Sequence, residues 1–422
     1  MEFEFYDFFC IVIILMTLRH IYKNRKTLFC LSNVVLIIFN LIFVIAPSVI
    51  GNNPITKNID LLLPLLLGFV IMFFVFQKKH PIKQKIKVIK NIKNKSYIKI
   101  LNFIIFIFIC KILYLIVTGQ FENILTINRS EDRLENYYVE SFDFLSILDM
   151  VFKNVFFIVA AVCGEKKIGY KKIILGFILM AIEAVAVSKH RTPVITPIIL
   201  GVIFFHLYIK KLKAHSFLIL AVGVIFFMAI SSYIRIGDIS QAEGKTFEQR
   251  MAHGLSGLNT SGTFNVLHQK INHGFLEYEY GYQFFLNIVT LVPRVIWEDK
   301  PNVSFSSRMT EDIYGKIDVG NWVRTYTVWG EGYTQFGFLG ILLYSFILAY
   351  GLKKFIYFLS GYSGMEIILI NFMIYLPFLI RADLFAVYTR VLVILIAILM
   401  IKLFFGFYSI KRQLSIYNIL IK

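Results

Sequence analysis

Long apolar runs, recurring along the chain and broken by short charged stretches, constrain this protein more than any other feature. They are 16 to 25 residues long, close to the roughly 17 to 25 of a helix that crosses a hydrocarbon core. Inside a bilayer no water can satisfy the backbone, so a run of this kind must close its own hydrogen bonds as a helix. The runs fall at Phe5–Tyr22, Leu28–Ile50, Ile59–Gln77, Ile98–Thr118, Leu145–Cys163, Ile173–Ser188, Val194–Ile209, Phe217–Tyr233, Val328–Tyr350, Met365–Ile380 and Leu384–Tyr408. They predict an all-α polytopic membrane protein with about 11 transmembrane helices in one bundle. Hydrophobic residues make up 58% of the 422, above the roughly 45–50% of soluble domains, which removes water as the main solvent.

The breaks between runs give the orientation. Arg19 to Lys26, Lys78 to Lys99, Lys166 to Lys172, Lys210 to Lys213 and Lys353 to Lys354 are basic and alternate with acidic or neutral breaks. Retained cytoplasmic loops carry Lys and Arg, so one arrangement satisfies every turn: N-terminus outside, C-terminus inside. The first run follows Glu2, Glu4 and Asp7 and lacks a small-residue cleavage site, which reads as a retained span rather than a removed signal. The net charge of +18 sits in these loops, with little aromatic interleaving, so no nucleic acid partner is expected. Cys10, Cys30, Cys110 and Cys163 lie in or beside apolar runs without CxxC spacing and read as small core residues.

Residues 1–422 form a single polytopic domain whose main elaboration is an extracytoplasmic loop, 234–327, between spans 8 and 9. Within it Phe247, Met251, Leu255 and Leu258 recur at helical spacing, predicting an amphipathic helix on the membrane surface. Phe284 to Val292 is apolar but too short to cross, which predicts a re-entrant or interfacial segment.

Arginine on the outer side runs against the charge bias that sets topology. Arg191 lies in a turn closed by Pro193, Arg235 ends a span, Arg294 follows Pro293, Arg324 precedes the ninth span, and Arg381 stands in Leu-Ile-Arg-Ala-Asp. Singly, each is explained by a local carboxylate or by snorkelling to headgroups. As a set on one side they describe an anion site, since guanidinium forks match phosphate oxygens. Glu331, in Trp-Gly-Glu-Gly-Tyr, has glycines on both sides that let the backbone come close. That suits a general base and equally suits an acid at a helix start.

Asp149, Lys111, Lys153, Glu183 and Arg390 fall inside spans, where unpaired charge costs about 2.5–3.5 kcal/mol each, so some must pair. Asp383 and Arg390 share a helical face and form one candidate pair. The histidines show no metal-ligand spacing, so neither a metal nor another cofactor is expected.

Leu-Val-Pro-Arg-Val-Ile-Trp-Glu-Asp-Lys-Pro (Leu291 to Pro301), Trp-Gly-Glu-Gly-Tyr-Thr-Gln-Phe-Gly (Trp329 to Gly337) and Arg-Ala-Asp-Leu (Arg381 to Leu384), after many spans and one long outer loop, resemble the Wzy-type oligosaccharide repeat unit polymerases. The family makes O-antigen and capsular polysaccharide. The resemblance implies a metal-independent glycosyltransferase of the bacterial cytoplasmic membrane acting on undecaprenyl-diphosphate-linked oligosaccharide. It also implies a flippase and a chain-length regulator as partners in the bilayer. It casts Arg191, Arg235, Arg294, Arg324, Arg381 and Lys300 as ligands of the diphosphate leaving group and Glu331 as the base. Trp297, Trp322 and Tyr326 are candidate sugar-stacking or interface aromatics. An O-antigen ligase, and from another class a repeat-unit flippase, remain open as alternatives, because shared architecture does not fix function.

Overall fold

A computed structural model of the chain describes residues 5–23, 31–45, 59–77, 85–87, 94–118, 144–187, 191–210, 260–289, 297, 299, 301–315, 324–360, 362–363, 365–405 and 411–412. On the first seven apolar runs stand α1 (Phe5–Lys23), α2 (Leu31–Asn40, continued by the π turn Leu41–Ile45), α3 (Ile59–Gln77), α4 (Asn94–Val117), α5 (Phe144–Glu165), α6 (Tyr170–Val187) and α7 (Arg191–Phe204, continued by the π turn Phe205–Ile209). Three short helices follow, α8 (Ser261–Asn272), α9 (Tyr282–Val289) and α10 (Phe305–Tyr314), then α11 (Thr327–Ser360), α12 (Glu366–Ala382) and α13 (Leu384–Phe405). The expected eighth span at Phe217–Tyr233 and the amphipathic helix at 247–258 lie outside the described residues.

Among the described residues three helices are long and apolar enough to cross a membrane: α3, α4 and α11. Their outward faces carry large apolar side chains, with Phe74 63%, Phe106 62% and Leu339 68% exposed, as lipid-facing surfaces do. Cys110 belongs to such a face on α4 and not to the core. Two packed groups make the bundle. Helices α1 and α2 pack around α3, which runs along α11; α4, α5, α6 and α7 form the second group, and α12 and α13 join the two.

Helix α11 is not one straight span. Phe336 and Gly337 depart from helical geometry, Gly337 with φ 57°, and residues 327–335 turn back against the first part of 338–360. Trp329 Nε1 donates to Ser345 Oγ at 3.0 Å, and the Tyr344 hydroxyl donates to Glu331 Oε1 at 3.4 Å. A Cβ at Gly340 would lie 1.7 Å from the Gly332 carbonyl oxygen, so the limbs touch backbone to backbone. The apolar run at Val328–Tyr350 is thus two antiparallel pieces, and 338–360 is the membrane-length one. Glycine alone permits both the reversal and the contact. The short limb is buried throughout, with Trp329 edge-on to Phe39 and Phe43 of α2 and its π turn.

At the far end of α11 a small ribbon ties distant segments together. Strand β1 (Lys85–Lys87) pairs in parallel with β2 (Tyr362–Ser363) and antiparallel with β3 (Lys411–Arg412). The ribbon brings the stretches after α3, after α11 and after α13 to one end of the bundle.

The charges inside α4, α5 and α6 close on one another. Lys111 reaches Asp149 and Glu183, both at 2.6 Å; Lys153 reaches the same two acids at 2.7 and 2.8 Å. Two lysines and two carboxylates form a neutral ring across three helices, with Glu183 almost fully buried. The expected Asp383–Arg390 pair is not formed: Arg390 lies over the Tyr375 ring at 4.2 Å, while Asp383 turns to backbone at the start of α13.

Two pairs of substitutions test these features in detergent. Gly340→Ala is expected to lower the unfolding temperature clearly, since overpacking costs about 1–3 kcal/mol or more. Gly351→Ala, on the same helix with open space around it, serves as the neutral control. Glu183→Gln leaves two lysines facing one acid and is expected to destabilise by up to about 3–5 kcal/mol, more than Asp149→Asn at the wetter corner of the ring. Equal unfolding temperatures for these two variants would remove the ring's buried side as the anchor.

Candidate functional site

The short limb of α11 delivers Glu331 to the junction of α12 and α13. Glu331 is fully buried, and its Oε2 accepts the Leu384 N–H at 2.6 Å. One residue earlier, Asp383 caps the same helix, accepting the Ala386 N–H at 2.8 Å through Oδ1 and the Ser306 N–H at 3.5 Å through Oδ2. An aspartate before an apolar run is a usual helix start, because the first N–H groups have no intrahelical partner. Two carboxylates therefore meet the positive end of α13. The Ser306 hydroxyl donates to the Ala382 carbonyl at 3.1 Å, so α10 is fastened to the same junction.

Arg381, in the last turn of α12, donates from Nε to Thr325 Oγ1 at 3.2 Å. Its partner is an uncharged hydroxyl, and among the described residues no carboxylate lies within ion-pair distance of it. Next to Thr325, Arg324 has its Nη1 donating to the Tyr314 hydroxyl at 2.6 Å and its guanidinium 3.8 Å from the Tyr314 ring centre. Its backbone N–H donates to Thr310 Oγ1 at 3.1 Å. Arg324, Arg381 and Glu331 thus come together around residues 324–331. Thr327, which starts the short limb, holds φ 69°, a strained backbone for a β-branched residue, beside this cluster.

Arg191 begins α7, with only its backbone described; Arg235, Arg294 and Lys300 lie outside the described residues. Tyr326 is fully buried, edge-on to Phe305 with its hydroxyl donating to the Met309 carbonyl, so it presents no face to a sugar in this conformation. That burial pushes its phenol above the ordinary tyrosine range. Trp297 is exposed, and Trp322 is outside the described residues.

Arg308, absent from the arginines singled out in the sequence, centres a second polar cluster. It grips the Glu279 carboxylate with both terminal nitrogens and donates to Gln283 Oε1 at 2.6 Å. Glu279 also accepts from the Gln335 side chain. The Glu279 and Tyr280 N–H groups donate to the carbonyls of Thr334 and Gln335, at 2.9 and 3.2 Å, and so satisfy the open end of the short limb. Arg308 carried the same signal as the others, an arginine in the stretch that the charge bias assigns to the outside, but no turn or span end marked it. Asp383 was expected to face Arg390, although its position before Leu384 is that of a helix cap.

Comparison with known proteins returns no matching family, no matching curated relative and no matching solved structure.

His268 offers a pH test of the support beneath the short limb. It is buried on α8, its Nε2 within 3.0 Å of the Asn272 amide nitrogen, and Asn272 accepts from the Tyr333 hydroxyl at 3.1 Å. Burial lowers its pKa, so the fold binds fewer protons than the unfolded chain. The stabilisation is full above the unfolded value and drains away as pH falls through it toward the lowered folded value. Hydrogen exchange over 261–272, corrected for intrinsic rate, should rise from about pH 7 to about pH 5.5, and His268→Gln should flatten that rise. A wild-type profile that is already flat would remove His268 from this role.

Proposed function

We propose that the chain is a multi-pass glycosyltransferase that polymerises undecaprenyl-diphosphate-linked oligosaccharide at the extracytoplasmic face of a bacterial cytoplasmic membrane. The observation that carries the reading is the bond between Glu331 and the Leu384 backbone. It joins Trp-Gly-Glu-Gly-Tyr to Arg-Ala-Asp-Leu, motifs far apart in sequence on which the resemblance to the polymerases rests. The full count of about 11 spans, with the N-terminus outside and the C-terminus inside, belongs to the same proposal. It is supported by the ribbon, whose three strands come from stretches that the charge bias assigns to the cytoplasm.

In the reaction, the bond between the donor's anomeric carbon and the diphosphate oxygen breaks, and a new bond forms to an acceptor hydroxyl. The hydroxyl's proton passes to a base, and the lipid diphosphate leaves with the electron pair. Fixed guanidinium groups stabilise the charge that develops on the leaving group. Arg381 and Arg324 are the described candidates for that work; Arg191, Arg235, Arg294 and Lys300 complete the proposed set. Glu331 is the candidate base. In the conformation described it holds the α12–α13 junction, so its use as a base requires the short limb to part from Leu384 when substrate binds.

A flippase is the reading from another class, and the reversed α11 with the charge ring of α4, α5 and α6 is the feature it would claim, since broken helices and intramembrane charge mark transport paths. One reconstitution separates the two. Purified protein in lipid, given undecaprenyl-diphosphate repeat units and lipid A core, with and without EDTA, should produce a ladder of longer chains. Arg381→Lys should cut the rate about tenfold or more, because an ammonium does not reproduce the fork. Glu331→Gln should abolish elongation while leaving the unfolding temperature near wild type. Translocation of the units without any ladder would replace the polymerase by the flippase, and transfer only to lipid A core would make the protein a ligase.

A further inference from the structure

Helix α9 is built the wrong way round for a helix on a wet loop. Its buried side holds Gln283 and Asn287 with Leu286 and Val289, while Tyr282, Phe285 and Ile288 are exposed at 45%, 53% and 67%. Gln283 is fully committed inward: its amide donates to Asn287 Oδ1 at 3.1 Å and to the Val303 carbonyl at 2.8 Å, and its oxygen accepts from Arg308. The preceding Tyr280 is 75% exposed. From Tyr280 to Val289 there is no charged residue. Polar groups satisfied inside and aromatic and aliphatic groups outside are what hydrocarbon demands and water does not.

The neighbouring surface agrees. Phe284 packs on Tyr344 of α11 with ring centres 5.4 Å apart, and Tyr344 lies about 10 Å along the helix from Gly337 at 1.5 Å per residue. Phe338, Leu339, Leu343 and Phe346 continue an exposed apolar stripe down the membrane-length limb of α11. The helix against which α9 packs thus carries an exposed apolar stripe of its own, and tyrosines stand at the start of α9 as they do at membrane interfaces.

We infer that α9 is immersed in the bilayer leaflet at the hairpin end of α11, with Tyr282, Phe285 and Ile288 against acyl chains, so that the Arg308–Glu279–Gln335 cluster beneath it is sealed by lipid on that side. The inference needs only a membrane and stands whether or not the chain transfers sugars.

The test uses the full chain in phospholipid vesicles. Starting from a variant with Cys10, Cys30, Cys110 and Cys163 replaced by serine, an environment-sensitive fluorophore is placed at Ile288→Cys, Phe285→Cys and, as an aqueous reference, Asp299→Cys. Doxyl-labelled phospholipid should quench the first two, and iodide should quench them about threefold less than the reference. A diazirine side chain at position 288 of the otherwise native chain gives an independent reading and should crosslink to phospholipid. Iodide quenching at 288 equal to that at 299 would overturn the inference in favour of a wet loop. Shielding from both quenchers, with crosslinks to a second copy or to another protein, would overturn it in favour of a protein interface.

Discussion

The contact of two glycines, Gly332 and Gly340, is the constraint on which the site depends. Helices usually pack with their axes 8–10 Å apart because side chains stand between them. Here a carbonyl of one limb occupies the place where the other would carry a Cβ. The close approach brings Glu331 beside Tyr344 and lets Trp329 reach Ser345. It also leaves the end of the short limb open, and the Glu279–Tyr280 backbone closes it. Without the contact Glu331 would sit on an ordinary span, far from Leu384.

The bundle's helices were largely legible because a bilayer leaves few options. Ile59–Gln77 forms at the residues where the apolar run begins and ends, and most other described helices begin and end within a few residues of theirs. The ninth run misled for a physical reason: hydropathy measures how greasy a stretch is and does not register a change of direction. Gly330, Gly332, Gly337 and Gly340 in one run were the available sign, and their spacing permits a reversal without dictating it. The segment at Phe284–Val292 was recognised as too short to cross, but its inverted faces required knowing that Gln283 meets Arg308, a residue well downstream.

The residues of the candidate site were legible in part. Arginine against the topological bias marked Arg324 and Arg381, and the glycines around Glu331 marked that residue. What the sequence withheld was partnership. Asp383 looked across its own helix to Arg390, whereas the open N–H groups at the start of α13 offered it a better place. The ring of Lys111, Asp149, Lys153 and Glu183 was foreseen only as a need for neutralisation, since pairing across α4, α5 and α6 depends on which helices become neighbours.

The ribbon at the other end has a consequence for the order of assembly. Strand β1 is synthesised when only the first helices exist, yet one partner, β3, follows the last helix described and the other, β2, follows α11. The early basic stretch must therefore wait, unpaired, through the insertion of nearly the whole chain. Contacts between segments so distant form late, so the closing of that end marks the completion of folding and would betray any chain that had inserted one helix too many or too few.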